Sequence, residues 1–293
     1  MKPLTHRRAA ARLTALAALL ALGWWLRTLQ PLNLAAAVAW PWASSTVTLY
    51  YADGPHLFPV SRRMALDADL PRATVDALLA GPPAGSPLTS ALPSGVGLQR
   101  IAVIDGVAHL QLAGSVHALR DAPLAVPALV ATLTRVPGVT AVVLTVDDVH
   151  VDDASTRAAM LYYPSARGLV ALPTTAPDAR AALDAFLAGP SSPELVRLPS
   201  DVRLLGSDFD SASGLLSLRF AYTPSVRALA LERPDRMRLL LLGLIATLTG
   251  YPEVRAVQLD FGGQSRLGLG ECSDLLRTPQ PRPALLNDER LVR

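Results

Sequence analysis

The sequence predicts an α+β protein built from two tandem copies of one small domain, each ordered β-β-α-β-β-α-β with two helices packed on a mixed sheet. Three observations predict it. First, words recur in the same order. Leu49-Tyr50-Tyr51 returns as Leu161-Tyr162-Tyr163, and Leu79-Ala80-Gly81-Pro82 as Leu187-Ala188-Gly189-Pro190. Leu92-Pro93-Ser94 returns as Leu198-Pro199-Ser200 and Ala131-Thr132-Leu133-Thr134 as Ala246-Thr247-Leu248-Thr249, with offsets between 106 and 115 residues. Solenoid units repeat every ~20–50 residues, so this period describes a whole small domain. Second, each copy alternates β-branched runs with apolar-striped segments bounded by Gly and Pro. Third, 293 residues at 51% hydrophobic composition suffice to bury two cores.

Ahead of the copies, Arg7, Arg8 and Arg12 precede an apolar run from Leu13 to Leu26 that ends in Trp24-Trp25 and then Arg27. Counted from Ala9 the segment has 18 residues. As a helix it would be about 27 Å long, just short of a hydrocarbon core of about 30 Å. Residues 1–26 are therefore read as a cytoplasmic basic stub and transmembrane signal-anchor, with the following domains outside the cell. The alternative is a secreted protein cleaved after Ala37-Val38-Ala39, although that site lies far beyond the apolar run. No cysteine adjoins the run, which closes the usual lipoprotein route. Residues 27–45, rich in Ala, Pro and Ser, form a linker.

The first copy, residues 46–150, opens with a strand at Val47–Tyr51, a turn at Asp53-Gly54-Pro55 and a second strand at Leu57–Val60. Pro71–Ala80 is a helix whose Val75, Leu78 and Leu79 share a face; Gly81-Pro82 stops it. Strands Leu98–Ile104 and Val107–Leu112 flank the tight turn Asp105-Gly106. A helix from about Pro123 to Arg135 leads to Val139–Val146, so continuously apolar that it predicts a strand covered on both faces. The second copy, residues 151–263, repeats the plan. Its strands are Met160–Tyr163, Leu169–Leu172, Val202–Asp208, Leu215–Phe220 and Val254–Phe261, and its helices Pro177–Ala188 and Pro234–Thr249. The leucine run at Leu239–Leu242 is too short to cross a bilayer and suits a buried helix. Alternation along a strand puts one tyrosine of each pair in the core and the other outside. Residues 264–293 lack periodicity and are read as a loosely ordered tail.

Charge and composition exclude several classes. From Thr46 onward 22 basic residues face 24 acidic ones, so the folded part has no excess of positive charge for nucleic acid. Lys2 is the only lysine. A P-loop lysine, a Schiff-base lysine and a Ser–Lys dyad are all ruled out. The single cysteine, Cys272, permits no internal disulfide.

The order Leu-Tyr-Tyr, Leu-Ala-Gly-Pro, Leu-Pro-Ser-Gly, then Asp105-Gly106 and Thr132-Leu133-Thr134 before Pro137-Gly138-Val139, resembles the GerMN domain family of bacterial sporulation and germination proteins. The likeness covers Val47 to Asp147 well and Ala159 to Gly262 more loosely; in the second copy Ser213-Gly214 replaces the Asp-Gly turn and Asp201 replaces Gly95. The resemblance implies an exported or membrane-tethered envelope module, often in tandem, with no catalytic residue to carry over.

The densest polar cluster is Asp147, Asp148, His150, Asp152 and Asp153, at the junction of the copies. Its oxygen-rich set fits calcium, yet it lacks the Gly at position 6 and the Glu at position 12 of an EF-hand loop, and a solvated linker explains it as well. The histidines show no zinc-hydrolase spacing, and Ser115 near His117 is not a nucleophile elbow. No catalytic residue, metal or cofactor is expected. The expected function is a non-enzymatic, membrane-tethered platform that binds an envelope protein or a cell-wall component, with the groove between the copies as its seat. A self-assembling envelope scaffold is the alternative, and a wall-material hydrolase a third reading.

Overall fold

The computed structural model describes residues 44–66, 69–151, 159–262 and 269–289. The expected signal-anchor, and the expected linker up to residue 43, lie outside them. No helix among the described residues is long and apolar enough to cross a membrane.

The first repeat contains β1 (Ser44–Asp53), β2 (His56–Ala65), α1 (Leu70–Leu79), β3 (Gly97–Ile104) and β4 (Val107–Ala113). It continues with α2 (Val116–Asp121), α3 (Ala125–Leu133), β5 (Ala141–Val146) and the two-residue β6 (Val149–His150). The second repeat contains β7 (Met160–Pro164), β8 (Leu169–Pro173), α4 (Ala179–Ala188), β9 (Leu204–Asp210) and β10 (Leu215–Phe220). After these come α5 (Pro224–Glu232), α6 (Pro234–Leu248) and β11 (Ala256–Phe261). Gly81 and Gly189 take positive φ just past α1 and α4, as the helix-stop reading of Leu-Ala-Gly-Pro requires. Apolar periodicity does not mark α2 and α5. Their signal was capping: Ser115 accepts from the Ala118 amide at 3.2 Å and Thr223 from the Val226 amide at 3.3 Å.

The α+β class holds, but the strands of each repeat are divided between two sheets rather than gathered in one. In the first repeat β3 pairs antiparallel with β4, β4 parallel with β5, and β5 antiparallel with β6. The second repeat builds the matching mixed sheet in the order β12-β11-β10-β9, where β12 (Gln280–Pro281) comes from the tail. The two hairpins instead join each other in a third sheet, β1-β2-β8-β7. That order reads the same from either edge, so an approximate two-fold relates the repeats through the β2/β8 junction.

The division follows from the strand sequences. Leu49, Tyr50 and Tyr51 are all fully buried, as are Tyr162 and Tyr163, so these strands need cover on both faces. This corrects the expectation that one tyrosine of each pair is exposed. Tyr51 and Tyr163 point to α1 and α4, where their hydroxyls donate to the carbonyls of Ala77 and Phe186. Tyr50 and Tyr162 point to the opposite face, beneath α3 and α6, among Ala128, Ala131 and Ala246. Here the repeated Ala-Thr-Leu-Thr finds its reason. Thr132 Oγ1 accepts from the Tyr50 amide at 3.3 Å, and Thr247 Oγ1 from the Tyr162 amide at 3.0 Å. Each hydroxyl satisfies a backbone donor that a sheet edge would otherwise leave unpaired.

β5 departs from its expected double cover. Val142, Leu144 and Val146 are buried while Ala141, Val143 and Thr145 are only half-buried, because helices cover one face of this sheet. Leu240, Leu241, Leu244 and Ile245 are buried, which makes α6 the core helix that the leucine run suggested.

α6 also passes very close to β7. A Cβ added to Gly243 would collide with the carbonyl oxygen of Tyr162. The matching position in α3 is Ala128, where the helix has room for a methyl group. Gly243→Ala raises helix propensity by about 1 kcal/mol, whereas an overpacked core site typically loses about 1–3 kcal/mol. The clash with backbone should win, and a lowered urea midpoint is the expected result. An unchanged or raised midpoint would show that α6 can shift freely.

The tail is not loose where it is described. A 3₁₀ turn at Gly270–Cys272 and α7 (Asp274–Arg277) lie against the second repeat, with Leu269, Cys272, Leu275 and Leu276 buried. Burial pushes the Cys272 thiol up to about 11, so it stays protonated. Arg238 forms a two-pronged pair with Asp274 at 2.8 and 3.0 Å. Farther on, the chain enters the central sheet. β2 and β8 share one paired register, Leu57 with Ala171. One rung beyond it Pro59 has no amide to give, and the side chain of Asn287 fills the gap. Its Oδ1 accepts from the Leu169 amide at 2.9 Å, and its Nδ2 donates to the carbonyls of Leu169 and Pro59 at 2.8 and 2.7 Å. Periodicity cannot reveal such a segment, because single side chains do its work.

Candidate functional site

The repeats meet along an open groove of about 1410 Å³. One wall is the α2–α3 region, with Arg120, Pro123, Val126 and Pro127; the other is the stretch Pro173–Pro177 together with Tyr251 and Glu253. Prolines at both walls stiffen the backbone there. The second wall is also tied down: the Tyr251 hydroxyl donates to the Ala176 carbonyl at 3.0 Å, and Glu253 accepts from the Ala179 amide at 3.4 Å. The groove exceeds the ~300–1,000 Å³ of ordinary small-molecule pockets and is open, a shape suited to a polymer or a protein surface.

Beneath the two-fold lies a buried polar cluster. Tyr50 and Tyr162 reach inward from opposite edges of the central sheet, and their hydroxyls meet at 2.5 Å. Arg282 donates to the Tyr162 hydroxyl at 3.2 Å and to the Ala246 carbonyl at 3.0 Å, and its guanidinium lies 5.8 Å from the Tyr162 ring centre. Arg135 adds a second cation beside both phenols; its Nε is shut off from solvent and finds no acceptor. Burial would raise the Tyr162 pKa, but Arg135 and Arg282 outweigh it and hold the phenol below its usual range. Tyr50 moves upward, because burial and the neighbouring Tyr162 prevail there.

The arginines expose a break in the duplication. Thr134 is followed by Arg135, but Thr249 is followed by Gly250. A Cβ at Gly250 would lie 3.7 Å from Nη1 of Arg282. The tail thus delivers from a distance the cation that the first repeat carries in place. The contrast between Arg135 and Gly250 at matching positions is the sequence signal for this cluster.

The acidic junction does not assemble as a cation site among the described residues. Asp147 and Asp148, at φ of 44° and 65°, are the two turn residues of the β5–β6 hairpin rather than part of a linker. They accept from Gln99 at 3.3 Å and Gln111 at 2.7 Å. His150 is exposed in β6, and Asp152 and Asp153 lie outside the described residues. No group of three or more His, Cys, Asp or Glu side chains placed to hold a metal occurs among the described residues. His56 pairs with Glu194 at 3.1 Å, and Arg167 with Asp53 at 2.8 Å, so both pairs join one repeat to the other.

A duplicated α+β domain fused through a shared sheet, with a groove along the seam, defines the class of this protein. The family model for sporulation and spore germination (Germane) matches residues 48–152 and again 160–266. The chain belongs to this family and carries its GerMN domain in tandem. Among solved structures it is similar to the tandem GerMN domains of the sporulation protein GerM from Bacillus subtilis, with a TM-score of 0.57 and 16% identity. That alignment covers 84% of this chain and 99% of the other, and it supports the fold. A putative lipoprotein from Clostridium perfringens aligns over 40% of this chain and 83% of its own, at 21% identity and a TM-score of 0.25. The first GerMN domain of the same B. subtilis protein aligns over 39% and 92%, at 15% identity and a TM-score of 0.29. No curated protein matches the chain.

Proposed function

We propose that this chain is a non-enzymatic envelope protein, held at the membrane by its N-terminal apolar run, whose fused repeats bind a protein or cell-wall partner outside the cell. The observation that carries the reading is the groove: both repeats contribute to it, neither builds it alone, and its walls are stiff. The apolar run and its flanking arginines support the tether and its orientation. Family membership supports a place at the envelope of a sporulation- or germination-type system.

Photo-crosslinking residues at Pro123 and Thr175, one on each wall, test the reading in cells, with exposed Arg63 on β2 as the control position. A product formed from both walls and absent from Arg63 is expected, whether the partner is protein or sedimenting wall material. Equal labelling from all three positions, or none from the walls, would remove the groove as the seat. Wall hydrolysis by the purified chain would overturn the non-enzymatic assignment.

A further inference from the structure

The second repeat has an opening where the first repeat packs an isoleucine. In the first repeat α1 packs directly against the edge strand β3, and Ile101 joins the core. The matching residue of the second repeat is Ser207: Ile101 stands opposite Leu110 across the β3–β4 ladder, and Ser207 opposite Leu218 across β9–β10. A serine cannot fill the space that an isoleucine fills. Between α4 and β9 a pocket of about 250 Å³ remains, walled by Leu183, Leu216 and Val254 and flanked by Phe209. Phe209 is 42% exposed although it lies on the helix-facing side of its strand. β9 is also the last strand of its sheet, and no strand among the described residues pairs with the outward backbone groups of Leu204–Asp210.

Charge separates the two edges as well. Asp208 and Asp210 occupy the outer face of β9 where β3 carries Ala102 and Ile104. Arg219 lies over Gly206, so the acidic stretch is the Asp208–Asp210 end. At the pocket mouth Arg180 is held by Asp184 at 3.3 Å and by the Ser207 hydroxyl at 3.0 Å. Asp178 and Glu253 add two more carboxylates to the lining.

We propose that the β9 edge and this pocket capture an extended segment of a partner polypeptide by strand addition, the segment alternating apolar and basic side chains. Alternation is imposed by the strand itself. Residues on one face of the added strand enter the pocket, and those on the other lie beside Asp208 and Asp210. A space of this size holds one large apolar side chain. The slot differs from the groove between the repeats, although Glu253 borders both.

The full chain in detergent is titrated with two fluorescein-labelled peptides, acetyl-Lys-Val-Lys-Leu-Lys-Val-amide and its analogue with Glu for every Lys. Saturable anisotropy with the lysine peptide is expected, at least about tenfold tighter than with the glutamate one. Ser207→Ile installs the side chain that the first repeat already accommodates. It should keep or raise the melting temperature while weakening lysine-peptide binding by at least about tenfold. Asp208→Lys, at an exposed position, should reverse the preference between the two peptides. Equal binding of both, or wild-type binding by a folded Ser207→Ile, overturns the proposal. Should Ser207→Ile fail to fold, an unreversed preference in Asp208→Lys overturns it instead. Concentration-dependent sedimentation that Ser207→Ile abolishes would give the slot to a second copy of the chain and likewise overturn it. A loss of groove crosslinking leaves every one of these outcomes unchanged.

Discussion

Asn287→Ala is expected to destabilise the protein by about 3 kcal/mol. Three hydrogen bonds vanish at once, and each typically contributes about 1 kcal/mol net. The loss is deepened because Leu169 and Pro59 keep buried backbone groups without partners, since Asn287 stands where a rung of the β2–β8 ladder would be. For a body of this size the melting temperature should fall by roughly 6–12 °C. Asn287→Asp should be worse than alanine, because a carboxylate oxygen would then face the Pro59 and Leu169 carbonyls. A loss below about 1 kcal/mol in urea unfolding would mean that water replaces the side chain without cost.

Stability against alkali supplies the second large effect. Burial raises the pKa of Tyr50, Tyr51 and Tyr163. An unfolded tyrosine ionises near pH 10, so above that pH the unfolded chain releases protons that the folded chain retains. The stabilisation is therefore complete below about pH 10 and lost above it, by up to about 1.4 kcal/mol per pH unit for each such tyrosine. The total loss is smaller for Tyr51 and Tyr163, whose hydroxyls sit nearer the surface. Tyr162 has the opposite sign. Its folded pKa is lowered, so its contribution is complete above pH 10 and disappears as pH falls through the folded value. Urea midpoints should rise gently towards pH 10 and then drop steeply. Tyr162→Phe should erase the rise and Tyr50→Phe should soften the drop. A flat profile between pH 9 and 11 would contradict both assignments.

Much of the fold is legible because local rules act on it. Hairpin turns, helix stops and apolar stripes each leave a short signature, and the duplication prints each signature twice. The cover over the tyrosines is not local. Alternation along Leu49-Tyr50-Tyr51 gives two faces, but it cannot say that a second hairpin and two helices will bury both. The tail is opaque for a related reason. Arg282, Leu286 and Asn287 fill spaces that exist only after the repeats have joined, so nothing in their own neighbourhood marks them. The groove was foreseeable as a seam between copies, although its walls were not, because α2 and the Pro173–Pro177 stretch depend on how the copies join. The acidic junction is legible as a cluster but not as a turn. Asp147 and Asp148 look like ligands, but their positive φ values place them as the turn of a hairpin.

β1 is both an edge of the central sheet and the strand through which the preceding residues enter the body. Its ten residues all pair with β2. Tension applied at Ser44 along the strand axis would run parallel to the ladder. The rungs are then loaded together in shear rather than peeled one by one. Such an attachment gives way only when most of them fail at once, so the domain pair can withstand pulling at the point where a tether would hold it.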